Sequence, residues 1–102
     1  MTLDELARQA HFSAQGLLDC ALDAVRDRVS KKGKLSLDKI EAEQHAVHGL
    51  AWLATYVEAI KEMAGYAERI SEEGRFGETE QLLTRIGLGE YLTQMFTAIP
   101  MN

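Results

Sequence analysis

The stretch from Ser36 to Ser71 contains no proline and no strong helix stop, and it constrains the fold more than any other feature of the chain. Ser36 can cap a helix start, with Asp38 in the first turn behind it. Ala46, Leu50, Leu53, Val57, Ile60, Ala64 and Ala67 then recur at alternating spacings of four and three, the signature of one helix face. Between residues 46 and 60 most other positions are apolar too, among them Val47, Ala51, Trp52, Ala54, Tyr56 and Ala59. A helix apolar nearly all round is covered on more than one side. One helix over this stretch has about 35 residues and a length of roughly 53 Å at the standard rise. A compact globule of 102 residues has a diameter of only about 33 Å. The helix therefore either bends or belongs to an elongated hairpin whose sides need cover from another chain or domain. The second is the expectation.

The segments on either side are helical as well. Thr2 and Glu5 stand in capping-box spacing. Leu3, Ala7, Ala10, Ala14, Leu17, Ala21 and Ala24 follow as a seam of mostly small residues, which lets a neighbouring helix approach closely. Leu18, Leu22, Val25 and Val29 widen that stripe. Lys31 and Lys32 suit the negative end of the helix dipole, and Gly33 supplies a left-handed exit, so the first helix is predicted over residues 3–31. After the turn Gly74-Arg75-Phe76-Gly77, the acidic Glu78-Thr79-Glu80 opens a third helix with Leu82, Leu83 and Ile86 as its apolar face. Gly87-Leu88-Gly89 is expected to break it, since two glycines cost about 2 kcal/mol in a helix interior relative to alanine. A short helix over residues 90–97 and a stop at Pro100 complete the reading. The expected fold is all-α: an elongated antiparallel bundle of three long helices plus a short C-terminal helix, forming a single helical domain over residues 1–102, with no strand-like alternation.

Composition narrows the function classes. With 46% apolar and 26% charged residues the chain is a folded domain, not a disordered one. A single cysteine, Cys20, excludes an internal disulfide framework and fits a reducing cytoplasm, the expected location. There is no uninterrupted apolar run of membrane-spanning length and no secretion-signal pattern, so no membrane partner is expected. A net charge of −5 disfavours nucleic acid as a partner.

Site chemistry is sparse. Glu41, His45 and His48 are weak metal candidates, because their spacing lets them share a helix face. A di-metal bundle needs matching ligands from a facing helix, and the first helix offers only Asp19, Cys20 and Asp23. The favoured reading places these histidines beside the buried stripe, with no metal. Arg26, Arg28, Lys31, Lys32, Lys34 and Lys39 form a basic turn that could hold phosphates, such as those of a coenzyme A handle, although cations are favoured at a helix C-terminus in any case. Cys20 lies amid Leu18, Ala21 and Leu22 and reads as an inert core thiol. Trp52, Tyr56 and Tyr66 read as a packing stripe. No phosphate loop, dinucleotide fingerprint or nucleophile elbow occurs, so neither catalytic nor cofactor-binding residues are expected.

Two stretches go beyond generic helix. Glu43-Gln44-His45-Ala46-Val47-His48-Gly49-Leu50-Ala51-Trp52-Leu53-Ala54-Thr55-Tyr56-Val57-Glu58-Ala59 resembles a segment in the N-terminal extension of methylsuccinyl-CoA dehydrogenases, bacterial flavoproteins of the acyl-CoA dehydrogenase superfamily. Gly74-Arg75-Phe76-Gly77-Glu78, Ile86-Gly87-Leu88-Gly89-Glu90-Tyr91-Leu92 and Ile99-Pro100-Met101 resemble the stretch that leads into the dehydrogenase core. The resemblance spans residues 40–101 and includes no motif in the first helix. It implies a parent that oxidises (2S)-methylsuccinyl-CoA to mesaconyl-CoA with FAD as acceptor, its catalytic carboxylate and flavin-binding residues lying downstream of this chain. The chain itself is then a non-catalytic N-terminal domain that packs on the core or supports subunit contacts. A homodimer through Val47, Trp52, Ala54, Ala59 and Met63 is expected. The alternatives are a stand-alone helical dimerisation module and a small metal-binding bundle.

Overall fold

The computed structural model describes residues 2–95. Its elements are α1 (Leu3–Val29), β1 (Ser30–Lys31), β2 (Lys34–Leu35), α2 (Leu37–Ala42), α3 (Gln44–Glu72) and α4 (Glu78–Thr93). All-α holds apart from the two-residue strands. The arrangement differs from three long helices with a short one at the C-terminus: α1 and α3 are long, α4 is intermediate, and the short helix is α2, ahead of α3.

The capping box forms as expected. The Glu5 amide donates to Thr2 Oγ1 at 3.4 Å, and the Thr2 amide to the Glu5 carboxylate at 3.2 Å. α1 ends at Val29, two residues earlier than the sequence suggests. Lys32 (φ 54°) and Gly33 (φ 78°) both take left-handed backbone, the requirement of a two-residue hairpin turn, and Ser30 pairs with Leu35 across it. Lys31 and Lys32 thus stand on a hairpin tip and not in the last turn of a helix. The Lys39 ammonium reaches back to the Ser30 carbonyl at 2.9 Å and ties α2 to the tip.

The long helix bends once, at Glu43. This residue closes α2 and opens α3 with non-helical dihedrals (φ −108°, ψ 32°), and its carboxylate lies 3.8 Å from Arg28 of α1. What remains in α3 is 29 residues, about 44 Å. Its far end is a Schellman motif: Gly74 is left-handed at φ 71°, its amide donates to the Ser71 carbonyl at 3.1 Å, and the Arg75 amide donates to Ile70 at 2.9 Å.

The core runs along α1 and α3, which pack side by side and antiparallel. Leu53, Val57 and Ile60 are its largest fully buried side chains, and Ala7 and Ala14 of α1 are the small residues that let the helices close on them. Each of those three burials is worth about 1.5–3 kcal/mol. The α1 seam departs from the even four-three reading after Ala14. Leu18, Ala21, Val25 and Val29 turn inward, while Leu17 and Ala24 stay exposed. In α3 Gly49 is buried where Leu50 is only half-buried.

α4 runs uninterrupted through Gly87-Leu88-Gly89, so the expected break and separate helix from residue 90 do not occur, and the expected stop at Pro100 lies outside the described residues. Packing overrides the glycine cost: Leu88 and Met95 are buried, and a Cβ on Gly87 would lie 2.9 Å from Met63 Sδ. The molecule measures 52 × 24 × 18 Å with a radius of gyration of 16.6 Å, well above the roughly 13 Å of a compact chain this size. The expected elongation is present.

Candidate functional site

α4 presents one set of apolar side chains to solvent and another to the core. Leu82, Leu83 and Ile86, expected as its packing face, are 57%, 61% and 61% exposed. Thr84 is 2% exposed and faces inward with Leu88, Tyr91 and Met95. Burying Thr84 is inexpensive, because its hydroxyl donates to the Glu80 carbonyl at 2.8 Å. The inward set has helical spacing of four, three and four, a longer stripe than Leu82, Leu83 and Ile86 can make. Continuing the helix across the two glycines was the signal that would have identified it.

Beside this ridge, Leu3, Leu6, Ala10, Leu88 and Leu92 line an open apolar groove of about 390 Å³ between α1 and α4. Where α4 ends, aromatic rings continue along α3. Tyr91 meets Tyr56 with centroids 5.8 Å apart, Tyr56 stacks on Trp52 at 5.8 Å, and Trp52 meets His48 edge-on at 6.2 Å. The expected packing stripe thus joins Trp52 to Tyr56, whereas Tyr66 lies separately beside Met63 and Leu83. Trp52 is 45% exposed, so the ladder emerges at the surface just past α4.

The other candidate residues fall in different places. His45 and His48 border an open groove of about 500 Å³ with Ile40, Gln44, Val47 and Ala51. His48 Nε2 accepts from Trp52 Nε1 at 2.9 Å, which engages one of its two ring nitrogens. Glu41 lies on α2, across the bend from both histidines, and among the described residues no three His, Cys, Asp or Glu side chains converge into a metal-holding group. Cys20 is exposed, contrary to the core-thiol reading, because it lies off the Leu18–Ala21–Val25 seam. Of the expected interface residues, Trp52 and Ala54 are exposed and Val47, Ala59 and Met63 half-buried, Met63 packing against the core and beside Gly87. The basic turn is partly neutralised: Arg28 pairs with Glu43, Arg26 lies 3.8 Å from Asp23, and Lys39 is anchored to backbone. Lys31, Lys32 and Lys34 are exposed at the tip, next to Leu35 and Leu37, which are 68% and 73% exposed.

Among the described residues one carboxyl, that of Asp4, departs from its ordinary value. The Thr2 hydroxyl beside Asp4 holds its carboxyl below the ordinary value, outweighing the opposing cost of desolvation. This is helix-start chemistry and not a catalytic arrangement. Among the described residues no helix is long and apolar enough to cross a membrane.

No protein-family model matches the chain. It is 45% identical over 97 residues to the (2S)-methylsuccinyl-CoA dehydrogenase of Cereibacter sphaeroides, an alignment covering 95% of this chain and 18% of that protein. That extent takes in α1, where the motif-based resemblance had nothing to match. The chain is therefore similar, along nearly its whole length, to the N-terminal region of an acyl-CoA dehydrogenase, and it spans about a fifth of that enzyme.

Proposed function

We propose that this chain is a non-catalytic N-terminal helical domain of an FAD-dependent acyl-CoA dehydrogenase of the methylsuccinyl-CoA type, acting in the cytoplasm to support core packing and subunit assembly. The observation that carries the reading is the 45% identity over 95% of the chain, confined to 18% of the relative. The molecule's surface agrees with a packing role. Its notable features are uncovered apolar side chains on α4 and at Trp52. The two grooves described above are open, and Lys31, Lys32 and Lys34 of the tip line neither. Flavin chemistry belongs to the remaining four-fifths of such a dehydrogenase, and no step of it is assigned to this chain.

The test is direct. The purified chain should show no flavin absorbance and should not reduce an electron acceptor with methylsuccinyl-CoA. Exchanging the matching segment of the Cereibacter enzyme for this chain should preserve its flavin content and turnover. A flavin band or turnover from the isolated chain, or loss of flavin on exchange, would contradict the proposal.

A further inference from the structure

Three features of the surface fit one another. First, α4 has 16 residues, about 24 Å of helix, on a body 52 Å long. Among the described residues, the α1–α3 pair is therefore roofed by a third helix over only about half its length. Second, α4 stands above that pair as a ridge with Leu82, Leu83 and Ile86 outward, and the open half beside it carries Trp52 and Leu17. Leu17 lies on the same face of α1 as Ala10 and Ser13, which border α4, and Trp52 continues the ring ladder from Tyr91. The ridge and the notch thus lie on one side of the molecule, end to end. Third, charge is segregated along the long axis. The hairpin tip holds Lys31, Lys32 and Lys34 with Leu35 and Leu37 exposed, whereas α4 begins at the opposite end with Glu78 and Glu80.

We propose that a second copy of this chain docks antiparallel on this side, each α4 ridge filling the other copy's notch and each hairpin tip meeting the acidic start of the other copy's α4. A ridge beside a notch on one face is self-complementary under a two-fold axis, so the pairing closes as a dimer and leaves no free end for further addition. It joins lysines to glutamates and exposed leucines to exposed leucines at both ends at once. This deepens the assembly role proposed above and rests on it, but the pairing is a property of the chain itself.

The pairing is tested by charge reversal on the full chain, with light scattering for mass and circular dichroism for helicity. The wild type should give about twice 11.4 kDa at micromolar concentration. The triple variant K31E/K32E/K34E and the double variant E78K/E80K should each lose at least about tenfold in dimer affinity while remaining helical. Mixing the two should restore a dimer, because each reversed tip then meets a reversed α4 start. A wild type that is monomeric at hundreds of micromolar overturns the pairing, as do helical variants that dimerise unchanged or fail to recover on mixing. None of those results touches the sequence relationship, which the segment exchange tests separately.

Discussion

At the scale of single residues, local hydrogen bonds decide where this chain starts its helices. Thr2 caps α1 and also lowers the Asp4 pKa, so Thr2→Ala should cost about 1 kcal/mol and bring Asp4 back toward an ordinary carboxyl in an NMR titration. Because the folded pKa is depressed, the associated stability is present above the unfolded pKa and lost as pH falls through the folded one. Fraying of the first turn of α1 should accordingly begin only in strongly acidic solution. His11 is a second residue with a clear expectation. Its Nε2 is buried with no hydrogen-bond partner, so His11→Leu should stabilise the fold by about 1 kcal/mol, read as a higher denaturant midpoint at unchanged slope. The contrast within α4 is sharper. Leu88→Ala should cost roughly 2–5 kcal/mol as a core truncation, whereas Ile86→Ala, on the exposed ridge, should leave the unfolding free energy of the dilute monomer within about 0.5 kcal/mol.

At the scale of elements, the sequence is most legible where one residue type has one structural use. Gly74 is such a case: the left-handed end of α3 needs it, and Gly74→Ala should destabilise by about 1–2 kcal/mol, measured by thermal unfolding. The capping box of Thr2 and Glu5, the cap at Ser36 and the buried run through Leu53, Val57, Ile60 and Ala64 were readable for the same reason. Legibility fails where two patterns compete. Lys32-Gly33 serves as a helix exit or as a hairpin turn, and only the pairing of Ser30 with Leu35 distinguishes them. In α4 the glycine pair suggests a break, which conceals the Thr84–Leu88–Tyr91–Met95 stripe that packs, and so the wrong face looks buried. A related ambiguity affects the apolar faces of α3 and α4. Met63 is half-buried once α4 is laid beside it, while Leu82, Leu83 and Ile86, assigned to the inside, are the side chains left outside.

At the scale of the molecule, elongation and incomplete cover are the dominant facts. The expected overshoot of a compact globule is met by a body 52 Å long whose third helix, among the described residues, roofs half of it. Exposed apolar surface of this kind is what the proposed pairing covers, and in that pairing opposite charge at the two ends favours an antiparallel partner over a parallel one. Raising ionic strength from 0.05 to about 1 M shortens the screening length to about 3 Å, so dimer affinity should fall with salt even though apolar contact is unchanged. The most direct measurement is a crosslink across the proposed ends. In a Cys20→Ser background, chains carrying K34C are mixed with chains carrying E78C under mild oxidant and resolved by mass under non-reducing conditions. The pairing predicts rapid formation of the mixed disulfide in preference to either symmetric one. Symmetric disulfides alone, or formation no faster than in a denatured control, would contradict it.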